Sequence, residues 1–323
     1  MKIIKYIALS LLIAFLLLLA LGAYFYKKIL IAPNSLANPV IIKIENNTTK
    51  KDAAKQLKAA GAIGNEYIFL ITAILYHKKI NAGFYEIVPA MTTAEVIKKI
   101  DAKETKLLKV VFPEGWRTEQ MAERLNENGI VGYEEFMAAA EGKEGRLFPD
   151  TYLFNPKMTG SDVVVMMLDD FETRTENLSL TDDQLTLASI IEREAANDAD
   201  RGLIAGIYNN RLKIGMKLQS DPTVEYGRDS NATAQLSLTE KIDYTYWKSA
   251  KTAEFTSVKS VFNTYLVSGL PAGPICNPGL KSIEAALSPS PSKYYYFLYG
   301  KDGVLYPSST AIEHEALAAK YLW

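Results

Sequence analysis

LTLASIIEREAANDADRGLIAGIYNNRLKIGMKLQSDPT, residues 185–223, is the stretch whose reading decides the rest of the chain. Apolar spacing makes its first part a helix, and Thr181-Asp182-Asp183-Gln184 supplies a capping box in front of it. Two carboxylates sit near the end of that helix. On a wheel of ~100° per residue, Glu192 has Leu185, Ala188, Ala195, Ala196 and Ala199 as neighbours. A carboxyl among such residues is poorly hydrated and holds its proton, while small alanines leave room for a ligand. Glu194 falls on roughly the opposite side, beside Leu187 and Ile190, whose bulk reads as core. The expectation is therefore that Glu192 is a proton-holding acid of the kind that glycosidic-bond cleavage needs. The plain alternative is a solvated glutamate in an ordinary helix.

The residues after that helix favour a site. Asn210-Arg211-Leu212, Gly215-Met216 and Leu218-Gln219-Ser220-Asp221-Pro222-Thr223 place amides, an arginine and a short aspartate at a helix end and the turn after it. Groups of this kind bind polyhydroxylated or amide-bearing ligands. Asp-Pro-Thr is also plain turn chemistry, and an arginine near a helix end also ties down carbonyls, so Asn210 and Arg211 stay open as structural residues.

Ala188-Ser189-Ile190-Ile191-Glu192-Arg193-Glu194, Asn210-Arg211-Leu212 and the segment GMKLQSDPTV resemble the MltG (YceG-like) endolytic murein transglycosylase family. Further agreement comes from Phe148-Pro149-Asp150-Thr151-Tyr152, Phe262-Asn263-Thr264-Tyr265, Gly269-Leu270-Pro271, Gly273-Pro274-Ile275 and Asn277-Pro278-Gly279. The resemblance implies a lytic transglycosylase that cuts peptidoglycan glycan strands and leaves a 1,6-anhydro end, with no cofactor. It implies a membrane tether with the bulk outside the cytoplasm and a place beside peptidoglycan synthases. Within it, Glu192 is the expected catalytic acid, with Glu194 as the alternative for that role. Glu194, Gln219, Asp221, Asn263, Tyr265 and Asp150 are the expected substrate contacts. Relatives usually carry a histidine near position 305, where this chain has Leu305, and that argues against giving His314 a role.

Composition bounds the alternatives. A chain of 323 residues has room for two or three cores, and 23% charged with 48% apolar residues is ordinary for a globular protein. The net charge is −1; without Lys2, Lys5, Lys27 and Lys28 it is −5, so no basic stripe calls for nucleic acid. One cysteine, Cys276, forbids an internal disulfide, and the separated His77 and His314 offer no metal-ligand spacing.

In chain order, Tyr6 to Tyr26 is an apolar run interrupted only by Ser10 and Gly22. At ~1.5 Å per residue it spans roughly 31 Å, a bilayer core. Its length favours an uncleaved anchor over a signal peptide, whose apolar core is only about 7–15 residues long. Lysine pairs on both sides leave orientation undecided by charge.

After a linker at 31–39, Val40–Glu45 reads as a strand, Lys50–Ala60 and Asn65–His77 as helices, and Ala82–Val88 as a second strand. This βααβ order looks like a LysM-type module, placed at 40–103 behind an anchor at 1–30. A repeat offset by 68 residues pairs Ala54, Leu57, Gly61, Ile63 and Ile68 with Ala122, Leu125, Gly129, Val131 and Phe136. On that pattern, 106–140 resembles half a second module at the head of a catalytic domain running over 106–323. Two unrelated strand–helix units would show similar periodicity. The expected class is thus α+β, with a transmembrane helix, a small LysM-like module and a larger catalytic domain.

Further on, Ser161–Asn177 reads as a helix, and Lys293–Tyr299 with Val304–Tyr306 as a hairpin through Asp302-Gly303. Ile312–Tyr321 reads as a closing helix. Tyr244, Tyr246 and Trp247 are either a stacking platform for sugar rings or a satellite core. Two rival functions remain beside the leading one. A lysozyme-like hydrolase would draw a second carboxylate from Asp150 or Asp221, and a non-catalytic scaffold would only bind the wall.

Overall fold

The structure, a computed structural model, describes residues 2–25, 34–156 and 158–322. It divides into two compact units, Met1–Leu108 and Lys109–Trp323. The fold is mixed α+β with an apolar N-terminal helix.

In the first unit, helix α1 (Lys2–Phe25) contains a 20-residue segment, Lys5–Tyr24, with a mean hydropathy of 2.6 and no burial. That is long and apolar enough to cross a membrane. Tyr26, where the expected run ended, and residues 31–33 of the linker lie outside the described residues. Beyond it come β1 (Val40–Ile44), α2 (Lys50–Ala59), α3 (Glu66–Leu75), β2 (Gly83–Ile87) and α4 (Thr93–Asp101). The strands pair antiparallel, Val40 opposite Ile87 and Ile44 opposite Gly83. Their inner faces cover α2 and α3 through Ile42, Ile44, Leu57, Phe69, Tyr85 and Ile87, all buried. Polar caps start each helix. The Thr49 hydroxyl accepts from the Asp52 N–H, the Asn65 side chain from Tyr67 and Ile68, and Thr92 forms a capping box with Glu95.

The second unit opens on β3 (Leu108–Val111), α5 (Thr118–Glu127), α6 (Tyr133–Ala139), β4 (Thr151–Phe154) and α7 (Gly160–Thr175). Helices α2 and α5 are offset by 68 residues at both ends, and so are the first residues of β2 and β4. Each copy turns after its first helix on a glycine in the left-handed region, Gly61 at φ +73° and Gly129 at φ +65°. Past that glycine one residue is lost from the second copy, so Phe69 rather than Ile68 corresponds to Phe136. Both phenylalanines are fully buried. Because β4 pairs with β3, this strand–helix–helix–strand segment runs past Ala140, where half a module was expected to end.

The remainder is helical: α8 (Asp182–Glu194), α9 (Arg201–Lys213), α10 (Asp221–Thr233), the short α11 (Leu238–Ile242) and α12 (Glu254–Ser257), and α13 (Leu280–Leu287). The antiparallel hairpin β5 (Tyr296–Tyr299) and β6 (Leu305–Ser308) and a last helix α14 (Ala311–Tyr321) complete it. Helix α8 lies at the centre and packs on α9 and α13. Leu185, Leu187, Ala188, Ile190 and Ile191 share one core with Ile204, Ala205, Tyr208 and Ile283. Each such Leu or Ile side chain contributes about 1.5–3 kcal/mol by leaving water. The core thus holds α8 rigidly, while its last turn reaches the surface.

Candidate active site

The Thr181 hydroxyl accepts from the Gln184 N–H in a capping box, and thirteen residues later α8 stops as Ala195 turns extended. Its last residue is Glu194. The C-terminal end of a helix carries partial negative charge, which disfavours a carboxylate and keeps the proton on. Burial acts the same way and is the larger cause of a raised Glu194 pKa, with Asp221 adding to it. Hydrogen bonds from Ser220 Oγ (2.6 Å) and Tyr208 Oη (2.7 Å) pull the pKa down in part. Both donate to Oε1, so Oε2 has no protein partner among the described residues.

Glu194 lines a cleft of about 420 Å³. Gln219, Asp221 and Tyr265 line it, together with Tyr296 to Tyr299 of β5 and His314 of α14. Gln219, Asp221 and Tyr265 come from two segments joined by hydrogen bonds. Gln219 N–H donates to the Thr264 carbonyl (3.2 Å) and Ser220 N–H to the Thr264 hydroxyl (3.0 Å). Gln219 sits at φ +49°, a strained conformation for a residue with a side chain, held there by those contacts. Tyr265 stacks on Phe255 at 4.3 Å and donates its hydroxyl to Asp221 Oδ1 at 2.6 Å. A lining that combines aromatic rings with amide, carboxyl and phenol groups suits a sugar ring's apolar face and its hydroxyls.

Glu192 occupies a different place. Its side chain is 6% exposed, with Oε1 3.2 Å from Arg201 Nη1 and Oε2 accepting the Gly279 N–H at 3.0 Å. Arg201 is braced by Asp198 and Ser282, and Glu114 packs against Gly279. Burial, and then the charge of Glu192, raise the Glu114 pKa. The structure thus brings Glu194 rather than Glu192 to this cleft, the side expected to be open at Glu192 being closed by Arg201 and Gly279. A helical wheel separates the two residues but cannot say which side faces the core when both sides carry small or apolar neighbours.

Two of the expected contacts lie away from this cleft. Asn263 is fully buried; its amide donates to the Phe255 and Val258 carbonyls, and its carbonyl accepts from the Tyr265 N–H. It shapes the turn that presents Tyr265 and does not meet the cleft. Asp150, at the head of β4, pairs with Arg174 and caps the Thr151 N–H, and it is not part of the cleft lining.

Asn210 donates to the Ser292 and Tyr294 carbonyls, and Arg211 to those of Leu218 and Tyr295, so both fix the cleft walls. Tyr246 and Trp247 surround a buried Arg117, whose guanidinium lies 4.0 Å from the Tyr226 ring and 5.0 Å from that of Tyr246. That is a satellite core rather than a sugar platform. Tyr208, Ser220 as a partner of Glu194, and the β5 wall were not singled out from sequence; pairs 14 and 26 residues apart leave no local signal.

The sequence profile of the YceG-like family matches residues 42–320. The chain belongs to the YceG-like family. It is 29% identical to the endolytic murein transglycosylase of Bacillus subtilis, over 93% of this chain and 90% of that protein. It is 26% identical to the endolytic murein transglycosylase of Streptococcus pneumoniae, matching 96% of this chain but only 64% of the longer pneumococcal protein. A crystal structure of a yceG-like protein from Listeria monocytogenes is similar, with a TM-score of 0.53 and 28% identity, over 86% of this chain and 99% of that one.

Proposed function

We propose that this chain is an endolytic peptidoglycan lytic transglycosylase, with Glu194 as its acid and base. The observation that carries the assignment is a carboxyl with a raised pKa at a helix C-terminus, lining a cleft with one oxygen free of protein partners among the described residues. The names of the bacillar and pneumococcal relatives support the reaction class.

Protonated Glu194 donates to the oxygen that bridges C1 of N-acetylmuramic acid and C4 of N-acetylglucosamine. The C1–O bond breaks, and positive charge builds at C1 in an oxocarbenium-like state. Glu194, now a carboxylate, takes the proton from the muramyl C6 hydroxyl as O6 closes on C1. The products are a free 4-hydroxyl and a 1,6-anhydro end. No water is consumed and Glu194 ends protonated. Gln219, Asp221 and Tyr265 act as substrate contacts, and Glu192, with Arg201, holds the end of α8 in place.

In this reading α1 is an uncleaved membrane anchor with the second unit on the extracytoplasmic side. The tether supports action on new strands near the synthases, where one cut ends elongation. The segment 40–103, with its βααβ order, serves as a LysM-like module. Asp221 in the same cleft keeps a hydrolytic outcome worth measuring. Digestion of purified peptidoglycan by the wild type and Glu194→Gln, with mass spectrometry of the ends, tests all of this. Anhydro ends from the wild type alone support the proposal. Reducing ends mean hydrolysis, and equal digestion by both proteins removes Glu194 from the chemistry.

A further inference from the structure

Helix α3 is apolar around most of its circumference. Phe69, Thr72 and Ala73 face the core of the first unit, whereas Tyr67, Ile71, Ile74, Leu75 and the following Tyr76 are each more than half exposed. Positions 67, 71, 74 and 75 follow the i, i+4, i+7, i+8 spacing of one helical face, so the exposed side chains form a continuous stripe. Five large apolar side chains together in water are unusual on a globular surface and mark a place that something covers.

Three observations say what covers it. Only residues 26–39 separate the end of α1 from β1, a reach of at most about 50 Å when fully extended. On the reading of α1 as a membrane anchor, the module is therefore confined near a bilayer. Four of the eleven lysines at 40–108 lie near the ends of α3. Lys58 Nζ reaches the Gly64 carbonyl before α3, Lys50 Nζ the Ala73 carbonyl in its last turn, and Lys78, paired with Asp101 at 2.9 Å, and Lys79 come just after it. Residues 40–108 hold eleven basic against seven acidic side chains, a net of +4, while 109–323 hold 21 against 30, a net of −9. Tyrosines at both ends of an apolar stripe flanked by lysines are the pattern of a helix lying in a lipid headgroup region. A protein interface, by contrast, is depleted in lysine.

We infer that α3 docks on the membrane, its Tyr67–Ile71–Ile74–Leu75 stripe entering the boundary of headgroups and acyl chains and its lysines meeting anionic headgroups. The tether makes this an intramolecular event, so a weak surface is sufficient. Docking would hold the module flat on the bilayer.

The test uses the full chain in vesicles of phosphatidylethanolamine and phosphatidylglycerol. A polarity-sensitive dye is placed at Ile74→Cys, the native Cys276 being buried. Brominated acyl chains should quench the dye, and adding Tyr67→Ser and Ile71→Ser should cut that quenching about threefold while flotation with the vesicles stays unchanged. Flotation with a dye that stays in water overturns docking and leaves the anchor standing. Loss of flotation overturns the anchor and docking with it. A dye wet in pure lipid but shielded in native membranes means a protein partner, and one shielded yet unquenched means self-association; either replaces the lipid surface.

Discussion

The Ser220 hydroxyl donates to Glu194 Oε1 across 2.6 Å, from the turn just before α10 to the last residue of α8. A bond of this kind favours the ionised carboxyl and so opposes the burial that keeps the proton on. Removing it in Ser220→Ala must raise the Glu194 pKa further. An acid has to be protonated to act, so activity falls as pH rises through that pKa. The expected result is an alkaline limb of the kcat/KM profile displaced to higher pH in Ser220→Ala, and in the same direction in Tyr208→Phe. An alkaline limb that stays put, or moves down, would show that Glu194 does not set it.

The division of labour between Glu192 and Glu194 gives a second outcome. Glu194→Gln cannot deliver a proton and should lower the rate of anhydro-end formation by about 10²–10⁴ without loss of fold. Glu192→Gln keeps an oxygen for the Gly279 N–H and should retain most of the activity. Arg201→Met leaves the Glu192 charge buried without its cation, which costs roughly 3–5 kcal/mol of stability. Urea unfolding reads that loss. If Glu192→Gln were inactive and Glu194→Gln active, the roles would have to be exchanged.

Legibility in the sequence tracked the range of the interactions. The capping box at Thr181 is a local hydrogen-bond pattern, and it was readable from a few letters. The 68-residue spacing is visible in the same way, since α2 and α5 bury Ala54 and Leu57, and Ala122 and Leu125, at matching positions. Which glutamate meets the cleft was not. That depends on Tyr208 and Ser220 arriving from other elements and on Arg201 and Gly279 claiming Glu192, contacts that spacing along one helix does not encode. Asn263 misled for a related reason. Inside a recognisable motif, an amide that holds a turn looks the same as one that holds a ligand.

Glu225 on α10 supplies a pH dependence of stability. Burial pushes its carboxyl up to about 7 from an ordinary 4.5, against a hydrogen bond from the Ala250 N–H and the charges of Arg193 and Arg228. Between pH 4.5 and 7 the unfolded chain ionises this group while the folded one keeps its proton. The unfolded state then binds fewer protons, so this group's contribution to stability falls as pH rises through the window and levels off above it. Glu225→Gln retains an acceptor for Ala250 and has no proton to lose. Melting temperatures across that range should decline less steeply in the variant, and parallel curves would refute the assignment.

Gly206 fixes the spacing of a cleft wall. It lies on α9, two residues before Tyr208, and a Cβ there would run into the backbone carbonyl oxygen of Ser290. A backbone oxygen cannot swing aside as the end of a long side chain does, so α9 and the segment leading into β5 would have to separate. Overpacking of this kind costs about 1–3 kcal/mol. The same movement would loosen the bonds from Asn210 to the Ser292 and Tyr294 carbonyls and shift Tyr208 away from Glu194. Gly206→Ala should therefore lose stability and lower kcat together, whereas Gly215→Ala, at a turn with open space around it, should lose stability alone. Unfolding curves and turnover measured on the same preparations separate these outcomes; undiminished turnover in Gly206→Ala would mean that Tyr208 is not needed where it stands.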